Sequence, residues 1–206
     1  MNLKAQFDEP EIPPAPKVET DRLFVAILLD KYIQDGLTSL IKDLRSLDVP
    51  VKWLEPGNLH LTLCFLGEVP RSKEQEVMER LQLVRREFNP FGIQLGGLGG
   101  FPNLKKPSVL FAPVSEGWEK LRDLAGAISK NLRGFGQKQE DREFNAHVTL
   151  GRVKGFKGAK TIQPKLEGKI PALIGKMGVN SFALIKSQLN PEGPVYTILH
   201  EFNLAG

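Results

Sequence analysis

The chain has 206 residues, 41% of them hydrophobic and 25% charged, a globular balance that excludes a disordered or collagen-like chain. No apolar run approaches the ~20 residues of a membrane helix, and residues 1–20 lack the basic start and apolar block of a signal peptide. One cysteine, Cys64, excludes an intramolecular disulfide, argues against a cysteine-based metal cluster and points to a reducing cytoplasm.

The formal net charge is +4. In residues 1–20, Lys4 and Lys17 stand against Asp8, Glu9, Glu11 and Glu19, which leaves that segment at −2 and the remainder at +6. A mildly basic body suits a polyanionic partner without requiring one. Pro10, Pro13, Pro14 and Pro16 join these acids in a segment read as an extended, solvated tail. The folded body is expected over 21–206, as a single domain.

Leu23–Leu29 is a continuous apolar run, expected as a buried strand. Ile33, Leu37, Leu40, Ile41, Leu44 and Leu47 recur at helical spacing. Val51–Leu54 and Leu59–Leu66 read as strands separated by Pro56 and Gly57. Ser72 and Gln75 resemble a capping box opening a helix that runs through Val77, Leu81, Val84 and Phe88. Phe91–Leu95 is a strand, Gly96–Pro107 a loop, Ser108–Val114 a strand. Trp118, Leu121, Leu124, Ala125, Ile128 and Leu132 mark a third helix. His147–Val153, Val179–Ile185 and Val195–Phe202 complete the strands, with a turn at Pro191–Pro194. Adjacent strands joined by short Gly/Pro connections predict antiparallel pairing and an α+β fold. The run Gly96-Gly97-Leu98-Gly99-Gly100 has neither dinucleotide-binding nor P-loop spacing.

The informative feature is a repeat. Residues 60–63 read His-Leu-Thr-Leu and residues 147–150 read His-Val-Thr-Leu. The chain holds only three histidines and six threonines, yet two of the three histidines have a threonine two places on. Alternation along a strand puts His60 with Thr62 on one face and Leu61 with Leu63 on the other; His147 and Thr149 behave alike. Facing each other across a cleft, two such pairs would surround one small anion. A neutral imidazole can take a proton from water, an imidazolium can protonate a leaving oxygen, and threonine hydroxyls can hold phosphate oxygens. A cyclic phosphodiester is the natural target, with no metal. His200 alternates with Tyr196, Ile198 and Phe202 and reads as a packed residue. The histidines show no zinc-site spacing.

In context, Arg22-Leu-Phe-Val-Ala-Ile, Asn58-Leu-His-Leu-Thr-Leu-Cys-Phe-Leu-Gly-Glu68, Phe144-Asn-Ala-His-Val-Thr-Leu-Gly-Arg152-Val and Gly193-Pro-Val-Tyr-Thr-Ile-Leu resemble the RNA 2′,3′-cyclic phosphodiesterase (2′-5′ RNA ligase) family of the 2H phosphoesterase superfamily. The resemblance implies a bilobal fold with two antiparallel sheets flanking a central cleft and helices outside. It implies hydrolysis of an RNA 2′,3′-cyclic phosphate end to a 2′-phosphate without cofactor or metal. Carried over by motif, His60 is the proton donor, His147 the proton acceptor, and Thr62 and Thr149 the phosphate binders. The acidic, proline-rich start departs from the family pattern. Partners would be RNA with cyclic phosphate ends, tRNA halves among them, or small cyclic nucleotides, met by a monomer away from membranes.

Arg152, Lys154, Lys157, Lys160, Lys165 and Lys169, with Lys105 and Lys106, form basic segments able to hold RNA phosphates. Arg152 is a candidate substrate contact: strict alternation puts it opposite His147, but a bulge at Gly151 would turn it inward. The same residues would serve 2′-5′ ligation of RNA halves. A nucleotide-binding module without turnover is a further reading. A structural RNA-binding protein would need stacking platforms, and the chain has only two Trp and two Tyr.

Overall fold

The computed structural model describes residues 18–47, 49–136, 144–155, 162, 164–166, 168, 170–191 and 193–205. The elements run β1 (Thr20–Leu28), α1 (Lys31–Arg45), β2 (Val51–Trp53), β3 (His60–Pro70), α2 (Glu74–Val84), β4 (Phe91–Leu95), β5 (Gly99–Phe101), β6 (Val109–Glu116), α3 (Trp118–Asn131), β7 (His147–Val153), β8 (Gly175–Val179), β9 (Ser181–Asn190) and β10 (Gly193–Asn203). Most of the proline-rich segment and most of the basic stretch after Gly155 lie outside the described residues. No helix among the described residues is long and apolar enough to cross a membrane.

Among the described residues ten strands follow the order β10-β9-β1-β3-β7-β6-β4-β8, with β2 beside β7 and β5 beside β6, and every pairing is antiparallel. The path divides into two halves that meet at β3 and β7 through a single residue pair, Leu61 and Val148. The α+β reading of the sequence holds, and the two expected sheets are halves of one ten-stranded sheet.

β1 is apolar on both faces because both faces are covered. Leu23, Val25 and Ile27 enter the main core, while Phe24 and Ala26 pack with Ala183 and Ile185 of β9 in a smaller cluster on the opposite side. α1 buries Ile33, Leu37, Leu40, Ile41 and Leu44, and its first turn is capped by Asp30, which accepts from the Ile33 N–H at 2.8 Å. It packs on β8 of the other half, whereas α3 packs on β3. The two halves are therefore interlocked by each other's helices, and one core cluster runs through both.

Three local expectations need correction. The Ser72–Gln75 capping box does not form: Arg71–Lys73 is a 3₁₀ turn, and α2 starts at Glu74 with no side-chain cap. The glycine-rich loop contains β5, held by pairing with β6 and by the Phe101 ring stacked 4.3 Å from Phe111. The strand read as Val179–Ile185 is two strands. The chain changes halves at Asn180, with β8 paired to β4 and β9 to β1.

Candidate active site

The seam between the halves builds the site. Leu61 and Val148 are paired antiparallel. One step along the ladder therefore sets His60 opposite Thr149 on one side and His147 opposite Thr62 on the other. Leu61 and Val148 point into the core and are fully buried, whereas His60, Thr62, His147 and Thr149 are half-buried on the other face. The two tetrapeptides are related by a local pseudo-two-fold axis through the Leu61–Val148 pair.

Each imidazole is fixed in the same way. His60 Nδ1 lies 2.9 Å from the Asn58 carbonyl oxygen, and His147 Nδ1 lies 2.7 Å from that of Asn145. A carbonyl oxygen only accepts, so both Nδ1 atoms carry their hydrogen and donate it, leaving Nε2 as the working nitrogen. The rings are wedged by aromatics. His60 sits 4.9 Å from Phe24 and 5.3 Å from Tyr196; His147 sits 5.0 Å from Phe101 and 5.0 Å from Phe111. Burial among these rings lowers both imidazole pKa values below the ordinary 6.5. The carbonyl bonds oppose that shift, and His147 adds a repulsive charge at His60. Neither histidine belongs to a cluster of metal-ligating side chains among the described residues.

Arg152 is brought to the same face by an irregular strand. In the β6–β7 ladder Leu110 pairs with Gly151 and Phe111 with Thr149, so Leu150 is the extra residue of a bulge. Leu150 and Gly151 are both buried, and Arg152 emerges exposed on the side of His147 and Thr149. Gly151 is required there: a Cβ would lie 2.6 Å from Val51 Cγ1 and 3.0 Å from the Trp53 ring of β2. β3 has the matching irregularity, with Val25 paired to Cys64 and Ala26 to Thr62, which makes Leu63 the extra residue and turns Phe65 outward, 65% exposed. The Cys64 thiol goes the other way, into the core, where burial pushes its pKa up to about 11. It is no nucleophile at neutral pH.

A family model described as the 2′-5′ RNA ligase superfamily matches residues 35–190. The chain belongs to that superfamily. It is 37% identical over 186 residues, 90% of this chain and 98% of the other, to a protein of Aquifex aeolicus (strain VF5) named RNA 2′,3′-cyclic phosphodiesterase. An Archaeoglobus fulgidus protein of the same name is 38% identical over 181 residues, covering 88% of this chain and 99% of the relative. Among solved structures, a Thermus thermophilus protein superposes with TM-score 0.72 at 33% identity, covering 90% of this chain and 98% of that one. Escherichia coli LigT in complex with 3′-AMP gives TM-score 0.72 at 25% identity, covering 91% and 100%.

In this 2′-5′ RNA ligase superfamily member, the aromatic walls are not legible in the sequence. Phe24, Phe101 and Phe111 look like ordinary strand residues, and only the fold brings them to the histidines. The repeated Asn two places before each histidine is the one signal that was available, since that residue's carbonyl orients the ring. Asn58 Nδ2 also donates to the Pro194 carbonyl at 3.4 Å, tying the start of β3 to β10. His200 departs from the expectation of a packed residue. Leu199 is the extra residue of a bulge in the β9–β10 ladder, and His200 is exposed beside Phe202, 4.5 Å between ring centres. Of the basic residues, Lys165 is held by the Leu47 carbonyl at 3.1 Å, while Lys105, Lys106 and Lys154 are exposed. Lys157, Lys160 and Lys169 lie outside the described residues.

Proposed function

We propose that this chain is an RNA 2′,3′-cyclic phosphodiesterase that opens a cyclic phosphate end to a 2′-phosphomonoester by metal-independent acid/base catalysis from two histidines. The observation that carries the reading is the seam: two His–Thr pairs, related by a pseudo-two-fold axis, with each Nδ1 committed to a carbonyl and each Nε2 left for chemistry. The relatives' shared name supports the substrate, and the 3′-AMP bound to the LigT neighbour is a ligand of matching chemistry, a phosphate on a ribose oxygen.

In this mechanism neutral His147 takes a proton from water at Nε2 as the water oxygen bonds to phosphorus. The bond from phosphorus to the ribose 3′ oxygen breaks, and His60, protonated, delivers its Nε2 hydrogen to that oxygen. Thr62 and Thr149 donate to the non-bridging oxygens, and Arg152 offsets the charge that builds on them. The donor and acceptor assignment follows the family's motif order. If a 5′ hydroxyl replaces water as the nucleophile, the same proton transfers give a 2′-5′ linkage, the ligation for which the superfamily is named. The physiological setting in this reading is a monomer acting on cytoplasmic RNA ends, tRNA halves included; the single, buried thiol fits a reducing compartment.

The test is turnover of a nucleoside 2′,3′-cyclic phosphate in EDTA by the unaltered chain and by His60→Ala and His147→Ala. Each substitution is expected to lower kcat by ~10²–10⁴-fold with little change in melting temperature. Unaltered rates in either variant overturn the assignment.

A further inference from the structure

Arg22 stands on the cleft side of β1 and has no part in the chemistry above. Leu23, Val25 and Ile27 point into the core, so Arg22 shares the face of Phe24 and Ala26, and it is exposed. Leu23 pairs with Lys186 of β9. The β1–β9 ladder ends at that pair; its register continued by one residue puts Arg22 next to Ser187, whose partner on β10 is Tyr196. Arg22, Ser187 and Tyr196 thus form a row across three strands. That row ends at the catalytic wall, because the Tyr196 ring stands edge-on to Phe24 at 5.2 Å and to His60 at 5.3 Å. Burial raises the Tyr196 phenol pKa, and the positive charges of Arg152 and Arg22 both act to lower it.

Among the described residues Arg22 takes part in no ion pair. Its β3 neighbour in register is Glu68, but that carboxylate accepts from Thr20 Oγ1 at 2.8 Å, and among the described residues no ion pair joins it to Arg22. An exposed guanidinium and a half-buried phenol on one sheet face offer several hydrogen-bond donors to an anion. The cyclic phosphate is already met by the two His–Thr pairs, and the next anion along an RNA strand is the phosphodiester on the 5′ side of the terminal nucleotide. We infer that Arg22 and the Tyr196 hydroxyl form a second phosphate subsite that holds this 5′ phosphodiester. The inference rests on the cyclic-phosphodiesterase reading and deepens it.

Such a subsite would also break the symmetry of the seam. The two His–Thr pairs alone are matched to a cyclic phosphate in either of two orientations. By register, Thr62 pairs with Ala26 and Thr149 with Phe111, so the position related to Arg22 on the other half is Pro107, which is buried and carries no charge. A 5′ phosphate gripped on one side only would fix which ribose oxygen meets His60.

The test compares kcat/KM for adenosine 2′,3′-cyclic phosphate with and without a 5′-phosphate, a pair that differs only in the anion in question. The unaltered chain is expected to favour the 5′-phosphorylated compound by on the order of tenfold or more, mainly through KM, with the preference shrinking as salt rises. Arg22→Gln is expected to bring the ratio close to one, and Tyr196→Phe to lower it partway. A ratio near one in the unaltered chain, or a preference that survives Arg22→Gln, overturns the subsite. Turnover of neither compound by the unaltered chain is a different failure, one that removes the cyclic-phosphodiesterase reading and the subsite with it.

Discussion

A histidine that donates from Nδ1 to a main-chain oxygen presents one nitrogen to its substrate, and here both do so with the same two-residue offset. Their pH behaviour follows from their surroundings. Burial lowers both pKa values below 6.5, with the second imidazole adding to the effect at His60. The base must be neutral, so the rate rises with pH through the lower titration. The acid must be protonated, so the rate falls through the upper one. The pair titrates jointly. We expect a bell-shaped kcat/KM profile whose maximum lies on the acid side of pH 6.5. The kcat profile should be displaced to higher pH, because bound phosphate favours both imidazolium forms. A kcat/KM maximum above pH 7.5 would contradict this reading of the two rings.

Elements place these residues through irregularity as much as regularity. The alternation of strands let the sequence show that each histidine shares a face with its threonine, and the helical stripes of α1 and α3 were equally plain. What alternation does not show is where it breaks. The bulges at Leu63 and Leu150 are decided by how neighbouring strands must bend, and the second is anticipated only by Gly151. β5 was hidden for a related reason: glycine favours no strand by itself, and pairing with β6 plus the Phe101–Phe111 stack supplies what its residues lack. Gly151→Val puts a branched side chain against Val51 and Trp53. It should destabilise the protein by about 1–3 kcal/mol in chemical denaturation, and at a temperature where the variant is still folded its kcat/KM should fall at least tenfold as Arg152 shifts. Wild-type activity in a folded Gly151→Val variant would remove Arg152 from the site.

The whole molecule depends on keeping two halves in register around one residue pair, so contacts that tie the chain's ends to the body matter. At the start of β1, the buried Asp21 lies 2.7 Å from Lys186 of β9 and 3.3 Å from Arg71. Burial alone would raise the Asp21 carboxyl. The Lys186 ammonium, a hydrogen bond from Glu74 and the Arg71 charge outweigh it and hold the pKa below the ordinary 3.8. A carboxyl with a depressed pKa stabilises the fold above that ordinary value and loses its contribution as pH falls through the depressed one. Asp21→Asn should therefore cost about 3 kcal/mol at pH 7, because it leaves Lys186 without its partner, and the gap to the unaltered protein should close under strong acid. An equal gap in urea melts at pH 7 and pH 2.5 would contradict that account. The reaction proposed for the assembled halves is tested most directly by phosphorus NMR of the product formed from an RNA 2′,3′-cyclic end in EDTA. We expect a single 2′-phosphomonoester formed at the rate seen without chelator. A 3′-phosphate, a mixture of both isomers, or turnover lost to EDTA and restored by a metal ion would contradict it.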